Sequence, residues 1–145
     1  MNNLDIQPQP KRSPDQLAEI ARRMRVSILK MINRAGSGHT GSSLSCVEIL
    51  VSLYFSEMRH HSSQADWPRR DRFILSKGHA APALYAALHE CGYITQQNLD
   101  RLRSINSILQ GHPDSRRCPG VEASTGSLGM GLSIAHGMAL ALRDP

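Results

Sequence analysis

Apolar residues recur at intervals of three and four along the first patterned stretch of the chain. The stretch opens at Ser13, followed by proline and then by glutamine at the third helical position, which is the sequence of a capping box. We expect a helix that ends near Gly36, a residue type that commonly ends helices. Its buried stripe is expected to comprise Leu17, Ile20, Ala21, Met24, Ile28 and Met31.

Three further apolar segments predict a second helix, a strand and a third helix. A second S-x-x-E capping box, at Ser45, is expected to open an apolar helix that extends to about Phe55. The short apolar run 72–76 is bounded by charge and glycine, which predicts a buried parallel strand. Pro82 lies near the first turn of a helix expected to end by Gly92.

The last third of the chain combines turns with a glycine-rich loop. Residues 95–104 predict a short helix, and residues 124–143 predict a glycine-rich loop that leads into a tightly packed helix. One strand among several helices is too few for a complete sheet. We therefore expect part of an α/β fold, a parallel sheet flanked by helices, that is helix-rich in the portion present and has further strands downstream.

Composition places the chain among soluble globular proteins, with 40% hydrophobic and 20% charged residues. No basic segment followed by an apolar run opens the chain, and no stretch approaches the roughly 18 apolar residues of a membrane span. We expect a cytoplasmic protein with no membrane partner, in which residues 1–12 form a flexible tail. The three cysteines have no paired spacing and predict neither a disulfide framework nor a zinc site.

The net charge of +5 favours anionic partners without choosing among them. Phosphorylated sugars, a diphosphate cofactor, nucleic acid and an acidic protein surface all qualify. Aromatic residues make up only 4% of the chain, and no recognised nucleic-acid-binding module accompanies the charge, so we expect no nucleic acid partner. Most of the arginines are expected on solvated faces.

Three loops contain residues suited to binding or catalysis. Residues 36–41 match G-x-G-x-x-G, but a helix precedes them where a dinucleotide site requires a strand, so we expect a flexible loop that places His39. His79 follows the predicted strand, and ligands bind at the carboxyl ends of strands in open α/β sheets. Taken alone, His39 is more often a loop residue than a catalyst, His79 is equally a structural histidine at a strand end, and His112 is another lone loop histidine. Structural roles are expected for His60, His61, His89 and His136.

The third loop, 126–131, runs into the last predicted helix, so its backbone N–H groups are placed to face an anionic or polar ligand. Close helix packing through glycines is the alternative. No Gly-Lys-Ser/Thr follows, which excludes a Walker loop.

Four segments, taken in order, resemble the N-terminal, cofactor-binding half of transketolases, particularly the split kind in which two chains make one enzyme. They are residues 37–45, 71–79, 111–113 and 120–131. The resemblance covers nearly all of residues 14–143. The sequence motifs Leu-Ser-Lys-Gly-His and Ser-Thr-Gly-Ser-Leu-Gly favour transketolase over the related 1-deoxyxylulose-5-phosphate synthase, which remains an alternative. Thr40 departs from the proline of many fused transketolases.

The resemblance implies transfer of a two-carbon ketol unit from a ketose phosphate to an aldose phosphate. It implies a thiamine diphosphate cofactor, and its binding residues would be His79, Gly126, Ser127 and Leu128. His39 and His112 would face the sugar as catalytic and substrate-binding residues. The cofactor supplies an electron sink, whereas the protein supplies orientation and proton transfer, for which histidine is suited.

The resemblance also implies residues that lie outside this sequence. A Gly-Asp-Gly motif and an asparagine would supply the oxygen ligands of the magnesium or calcium ion, so we expect no metal ligand in this chain. Residues 13–145 are expected to be the first part of the diphosphate-binding domain, incomplete at its C-terminus. The partner would be a C-terminal transketolase subunit or the missing remainder, within an oligomer. A catalytically inactive remnant that acts only in assembly is the alternative.

Overall fold

The structure is a computed structural model that describes residues 11–143; the predicted tail lies largely outside the described residues. Its α-helices are α1 (Pro14–Ala35), α2 (Thr40–Leu44), α3 (Val47–Ser52), α4 (Ala81–Glu90), α5 (Gln96–Leu99) and α6 (Met130–Ala141). A π-helical segment at Leu53–Glu57 continues α3, and single 3₁₀ turns lie at Ser62–Gln64 and Gly78–Ala80. Among the described residues, no helix combines the length and the apolar character required to cross a membrane.

The first helix, α1, forms as its sequence pattern predicts. The Ser13 side chain accepts a hydrogen bond from the Gln16 N–H, and the Gln16 side chain accepts one from the Ser13 N–H, so the capping box is present. Gly36 adopts a left-handed conformation, φ 64°, and ends the helix. The predicted apolar stripe is buried apart from Leu17, which is half-buried.

The centre of the core is α4, in which every residue from Ala81 to Leu88 is buried. It packs against α1, α3 and α5, and the predicted Pro82 lies in its first turn. The small alanine side chains of α4 allow these neighbours to approach closely. Since the 3₁₀ turn Gly78–Ala80 leads directly into α4, the core fixes the position of His79.

The predicted capping box at Ser45 is wrong. The helix α3 begins at Val47 without a side-chain cap, and part of the expected glycine-serine loop forms α2. The Ser45 hydroxyl donates to the Ser42 carbonyl (3.1 Å) and accepts from Lys77 Nζ (3.0 Å), so it is unavailable as a cap. Glu48, the expected partner in the box, instead forms an ion pair with Arg25.

The predicted strand at 72–76 is not observed, and the structure describes no strand anywhere in residues 11–143. A strand requires a neighbouring backbone with which to form a ladder. Here the segment is held by side chains instead, because the Thr125 hydroxyl donates to the Leu75 carbonyl (2.7 Å). The helix-rich character of the predicted fold is confirmed, whereas the expected sheet is not seen in the described part of the chain.

The C-terminal prediction is confirmed in its position and wrong in its packing. A glycine-rich loop leads into α6 as expected, but Gly131 is the only buried residue of that helix. Leu132 and Leu140 are 76% and 51% exposed, so a strongly apolar helix presents its side chains to solvent. The predicted helix at 95–104 is also shorter than expected, since α5 ends at Leu99.

Candidate functional site

Three histidine rings from separate segments meet edge to face. The ring centroids of His39 and His79 lie 4.8 Å apart, and those of His79 and His112 lie 4.9 Å apart. The interplanar angles of 80° and 88° place ring edges against ring faces, with His79 in the middle. The structure thus brings together the three histidines that the sequence analysis singled out in three loops.

His39 is held at the start of α2 by local and distant contacts. Its carbonyl accepts hydrogen bonds from the N–H (3.0 Å) and the hydroxyl (2.9 Å) of Ser43. Lys77 Nζ donates to the Ser42 carbonyl (2.8 Å) and to the Ser45 hydroxyl (3.0 Å). Because Lys77 lies two residues before His79, this ammonium ties the first histidine loop to the second. The sequence analysis gave Lys77 no role, although it lies within the Leu-Ser-Lys-Gly-His segment.

His79 carries a buried ring nitrogen, Nδ1. Its Nδ1 has no hydrogen-bond partner among the described residues, which is uncommon for a buried nitrogen in a folded protein. The residue before it, Gly78, lies against the opposite loop so closely that a Cβ would sit 2.7 Å from the Thr125 carbonyl atoms. The missing side chain at Gly78 therefore allows the glycine-rich loop to approach the His79 ring.

His112 lies on a segment anchored to the core by Tyr85. The buried Tyr85 hydroxyl lies 2.9 Å from the Gln110 carbonyl and 3.0 Å from the His112 carbonyl, as a shared donor. Desolvation, followed by the neighbouring His79, Arg103 and His39, lowers the pKa of His112 below its usual range. A ring that stays neutral near pH 7 is able to accept a proton from a bound molecule.

The glycine-rich loop contributes backbone rather than side chains to this cluster. Gly126 lies against the His112 ring, since a Cβ there would be 3.4 Å from its Cδ2. The side chains of Ser127 and Leu128 are exposed. The helix α6 starts after Gly129 without a side-chain cap; its first N–H, that of Met130, donates to the Ser127 carbonyl (3.4 Å), and the N–H groups that follow in the first turn are the ones placed for a ligand.

An open cavity of about 640 Å³ lies beside His112. It is lined by Gln110, Gly111, His112, Pro113, Asp114, Arg116, Ser124 and Thr125. The lining combines an imidazole, a guanidinium, a carboxylate and hydroxyls, which is suited to a hydroxylated or anionic molecule rather than to an apolar one.

Glu122, four residues before Gly126, belongs to a largely buried ion cluster. Glu122 accepts hydrogen bonds from Arg70 Nε (3.0 Å) and Nη2 (2.8 Å) and from Arg72 Nη1 (3.1 Å). The side chains of Glu122, Arg70 and Arg72 are 8%, 13% and 21% exposed. Arg70 and Arg72 are thus exceptions to the expectation that most arginines lie on solvated faces. Local spacing gives no signal for it, because Arg70 and Glu122 are 52 residues apart.

Three imidazoles beside a glycine-rich helix start form a site of a particular class, one that is suited to a polar or anionic ligand and to proton transfer. The family model for the transketolase thiamine diphosphate binding domain matches residues 16–144. This chain belongs to the transketolase family.

Among its relatives, the 6-deoxy-6-sulfo-D-fructose transketolase subunit SqwG of Clostridium sp. (strain MSTE9) is 49% identical over 115 residues, 79% of this chain and 42% of that protein. An apulose-4-phosphate transketolase subunit of Phocaeicola vulgatus is 42% identical, over 82% of this chain and 42% of its own length. The solved transketolase of Campylobacter jejuni superimposes with a TM-score of 0.85 at 36% identity, over 90% of this chain and 20% of that one. This chain therefore spans less than half the length of these relatives.

Proposed function

We propose that this chain forms part of a transketolase-type enzyme that moves a two-carbon ketol unit from a ketose phosphate to an aldose phosphate. The observation that carries the proposal is the convergence of His39, His79 and His112 within ring-centroid distances of 4.8 and 4.9 Å. Membership of the transketolase family supports it independently.

The described residues fit thiamine diphosphate. The buried Nδ1 of His79 has no hydrogen-bond partner among the described residues, Gly126 leaves room beside the His112 ring, and the N–H groups that follow Met130 in the first turn of α6 have no side-chain cap. His79 and the backbone of Gly126, Ser127 and Leu128 would hold the cofactor. When bound, thiamine diphosphate provides the electron sink for cleavage of the carbon–carbon bond.

His39 and His112 would face the sugar. Both rings contact the central His79 ring, and the cavity beside His112 is open to solvent and lined by polar groups. A neutral imidazole would accept the proton of a ketose hydroxyl as the carbon that bears this hydroxyl becomes a carbonyl. It would return a proton to the acceptor oxygen when the two-carbon unit is transferred to the aldose phosphate. The lowered pKa of His112 keeps its ring in the accepting form near neutral pH.

The described residues do not fit a divalent cation site. In residues 11–143, no three His, Cys, Asp or Glu side chains are grouped so that they could hold a metal ion. The ligands of a magnesium or calcium ion would come from a further part of the domain, and a C-terminal transketolase subunit would complete the enzyme as an oligomer. The relatives named as transketolase subunits support this arrangement.

Calorimetric titration with thiamine diphosphate tests the proposal, using the natural protein with any partner chain it requires. We expect His79→Ala to weaken cofactor binding about tenfold or more, equivalent to about 1.4 kcal/mol. His39→Ala and His112→Ala are expected to lower kcat for two-carbon transfer by about 10²-fold or more while leaving the cofactor Kd nearly unchanged. His61→Ala, at an exposed histidine outside the cluster, is the matched control. Failure of the natural protein to bind the cofactor would contradict the proposal.

A further inference from the structure

Arg103 joins the segment before His39 to the segment before His112. Its Nη1 donates a 2.9 Å hydrogen bond to the hydroxyl of Ser37, which is 66 residues away along the chain. The same guanidinium lies on Gly111, where a Cβ would be 3.0 Å from both Nε and Nη2. Since Ser37 lies two residues before His39 and Gly111 one residue before His112, a single side chain contacts both loops.

The backbone of Arg103 is held in a conformation that arginine rarely adopts. Its φ of 60° lies in the left-handed region, which is unfavourable for residues other than glycine. Its N–H donates to the Leu109 carbonyl (2.9 Å), and this bond closes the turn that leads to Gly111. Strained residues of this kind persist where the surrounding contacts fix them, and they occur preferentially at functional sites.

We propose that Arg103 is a positioning residue that sets where His39 and His112 lie relative to each other across the His79 ring. This inference rests on the proposed function, in which both outer rings act on one sugar. It assigns Arg103 no contact with substrate or cofactor. The guanidinium acts through the two loops that it joins.

The position of Arg103 also has an electrostatic consequence for His112. Desolvation is the largest cause of the lowered pKa of His112, followed by the imidazole of His79, the guanidinium of Arg103 and the imidazole of His39. The guanidinium of Arg116 lines the same cavity. The nearest carboxylate in its own segment, that of Asp114, is paired with Arg117 (3.4 Å). Removal of the Arg103 charge is therefore expected to raise the pKa of His112, whereas a lysine at this position preserves the charge.

The test compares Arg103→Met and Arg103→Lys in the natural protein with its cofactor and any partner chain. Both variants are expected to lower kcat by about ten- to hundredfold, because neither reproduces the hydrogen bond to Ser37 together with the packing on Gly111. For Arg103→Met, the acidic limb of the kcat/KM profile is expected to move to higher pH. For Arg103→Lys, the limb is expected to stay at the wild-type position. The control is Arg101→Met, at an exposed arginine two residues away.

NMR titration of the His112 ring gives a readout independent of turnover, and its pKa is expected to rise in Arg103→Met alone. If Arg103→Met does not fold, Ser37→Ala removes only the acceptor hydroxyl and is expected to lower kcat with no shift of the limb. The inference would be overturned if Arg103→Met kept the wild-type kcat, the wild-type position of the acidic limb and the wild-type pKa of His112. If the natural protein itself showed no two-carbon transfer, the proposed function would be overturned instead.

Discussion

The hydroxyl of Thr125 donates a 2.7 Å hydrogen bond to the carbonyl of Leu75, and both residues are buried. This contact fastens the segment that leads to His79 to the loop that contains Gly126. Gly78, three residues after Leu75, also lies close against the Thr125 backbone. The position of the exposed glycine-rich loop is therefore set by a contact inside the protein.

Thr125→Val removes the hydroxyl and preserves the shape of the side chain. We expect the free energy of unfolding to fall by about 1–3 kcal/mol, because the buried Leu75 carbonyl loses its partner. Thr125→Ser retains the hydroxyl and is expected to lose less. Urea denaturation of both variants measures the difference, and equal stability of Thr125→Val and wild type would show that the bond contributes nothing.

The ion cluster of Glu122, Arg70 and Arg72 gives a second prediction. Glu122→Gln leaves the guanidinium groups of Arg70 and Arg72 in a largely buried position without their carboxylate. Breaking a buried ion pair from one side typically costs about 3–5 kcal/mol, and we expect a loss at the lower end because the arginines keep partial access to water. Glu57→Gln, at an exposed glutamate, is the control and is expected to change the free energy of unfolding by less than about 0.5 kcal/mol.

Chemical denaturation again measures both variants. A Glu122→Gln protein as stable as Glu57→Gln would mean that Arg70 and Arg72 reach solvent once their carboxylate is gone. We would then conclude that the cluster does not stabilise the fold.

Stability is expected to fall as the pH falls below about 6.5, the ordinary pKa of histidine. His60 is buried, with Nε2 2.7 Å from the Tyr54 carbonyl and Nδ1 3.1 Å from the Tyr93 hydroxyl. Desolvation lowers its pKa, so the unfolded chain takes up a proton that folded His60 resists. The stabilisation is thus present above the pKa that His60 has in the unfolded chain. It is lost as the pH falls from that value towards the lower pKa that His60 has in the folded protein. The lowered pKa of His112 acts in the same direction.

Denaturation curves at pH 7.5 and pH 5.5 measure this dependence. His60→Asn has no titrating ring, so its stability should change less between the two values, although it should be less stable at pH 7.5. An unchanged pH dependence in His60→Asn would assign the effect to other groups.

The exposed apolar face of α6 predicts that residues 1–145, produced alone, associate with themselves. Leu132 and Leu140 in α6, and Leu142 directly after it, are each more than half exposed, and large exposed apolar surface marks interaction sites. Leu132→Gln combined with Leu140→Gln is expected to lower the average mass in sedimentation measurements. Ile105→Gln, at an isolated residue that is 87% exposed, should have no effect. A wild-type chain that stays monomeric over the accessible concentration range would contradict this prediction.

Short sequence motifs correctly predicted the elements that are stabilised by contacts between neighbouring residues. The capping box at Ser13 and the proline of α4 depend on neighbours within one helical turn, and both form as expected. The box at Ser45 fails because Lys77, 32 residues away, binds its hydroxyl. The strand at 72–76 fails because a ladder needs a partner that the described part of the chain does not provide. Spacing cannot show either cause.

The same distinction applies to the site. His39, His79 and His112 were identified from their loops and from a family resemblance, but neither places the rings beside one another. Their convergence depends on Lys77, Thr125 and Arg103, each of which acts across the fold on a segment distant in sequence. No helix-length pattern indicates such contacts.

The hydrogen bond between Arg103 and Ser37 also bears on the order of events during folding. It closes a loop of 66 residues, and closure of long loops carries an entropic cost that must be met before distant contacts stabilise the chain. The backbone hydrogen bonds within α1 and within α4 join near neighbours, so they can form before contacts of this span, which include the packing of α1 on α4 itself, where Arg23 and Glu90 are 67 residues apart. Recovery of the histidine cluster should therefore lag behind recovery of helical structure, and a newly made chain would contain helices before it is competent to bind its ligand.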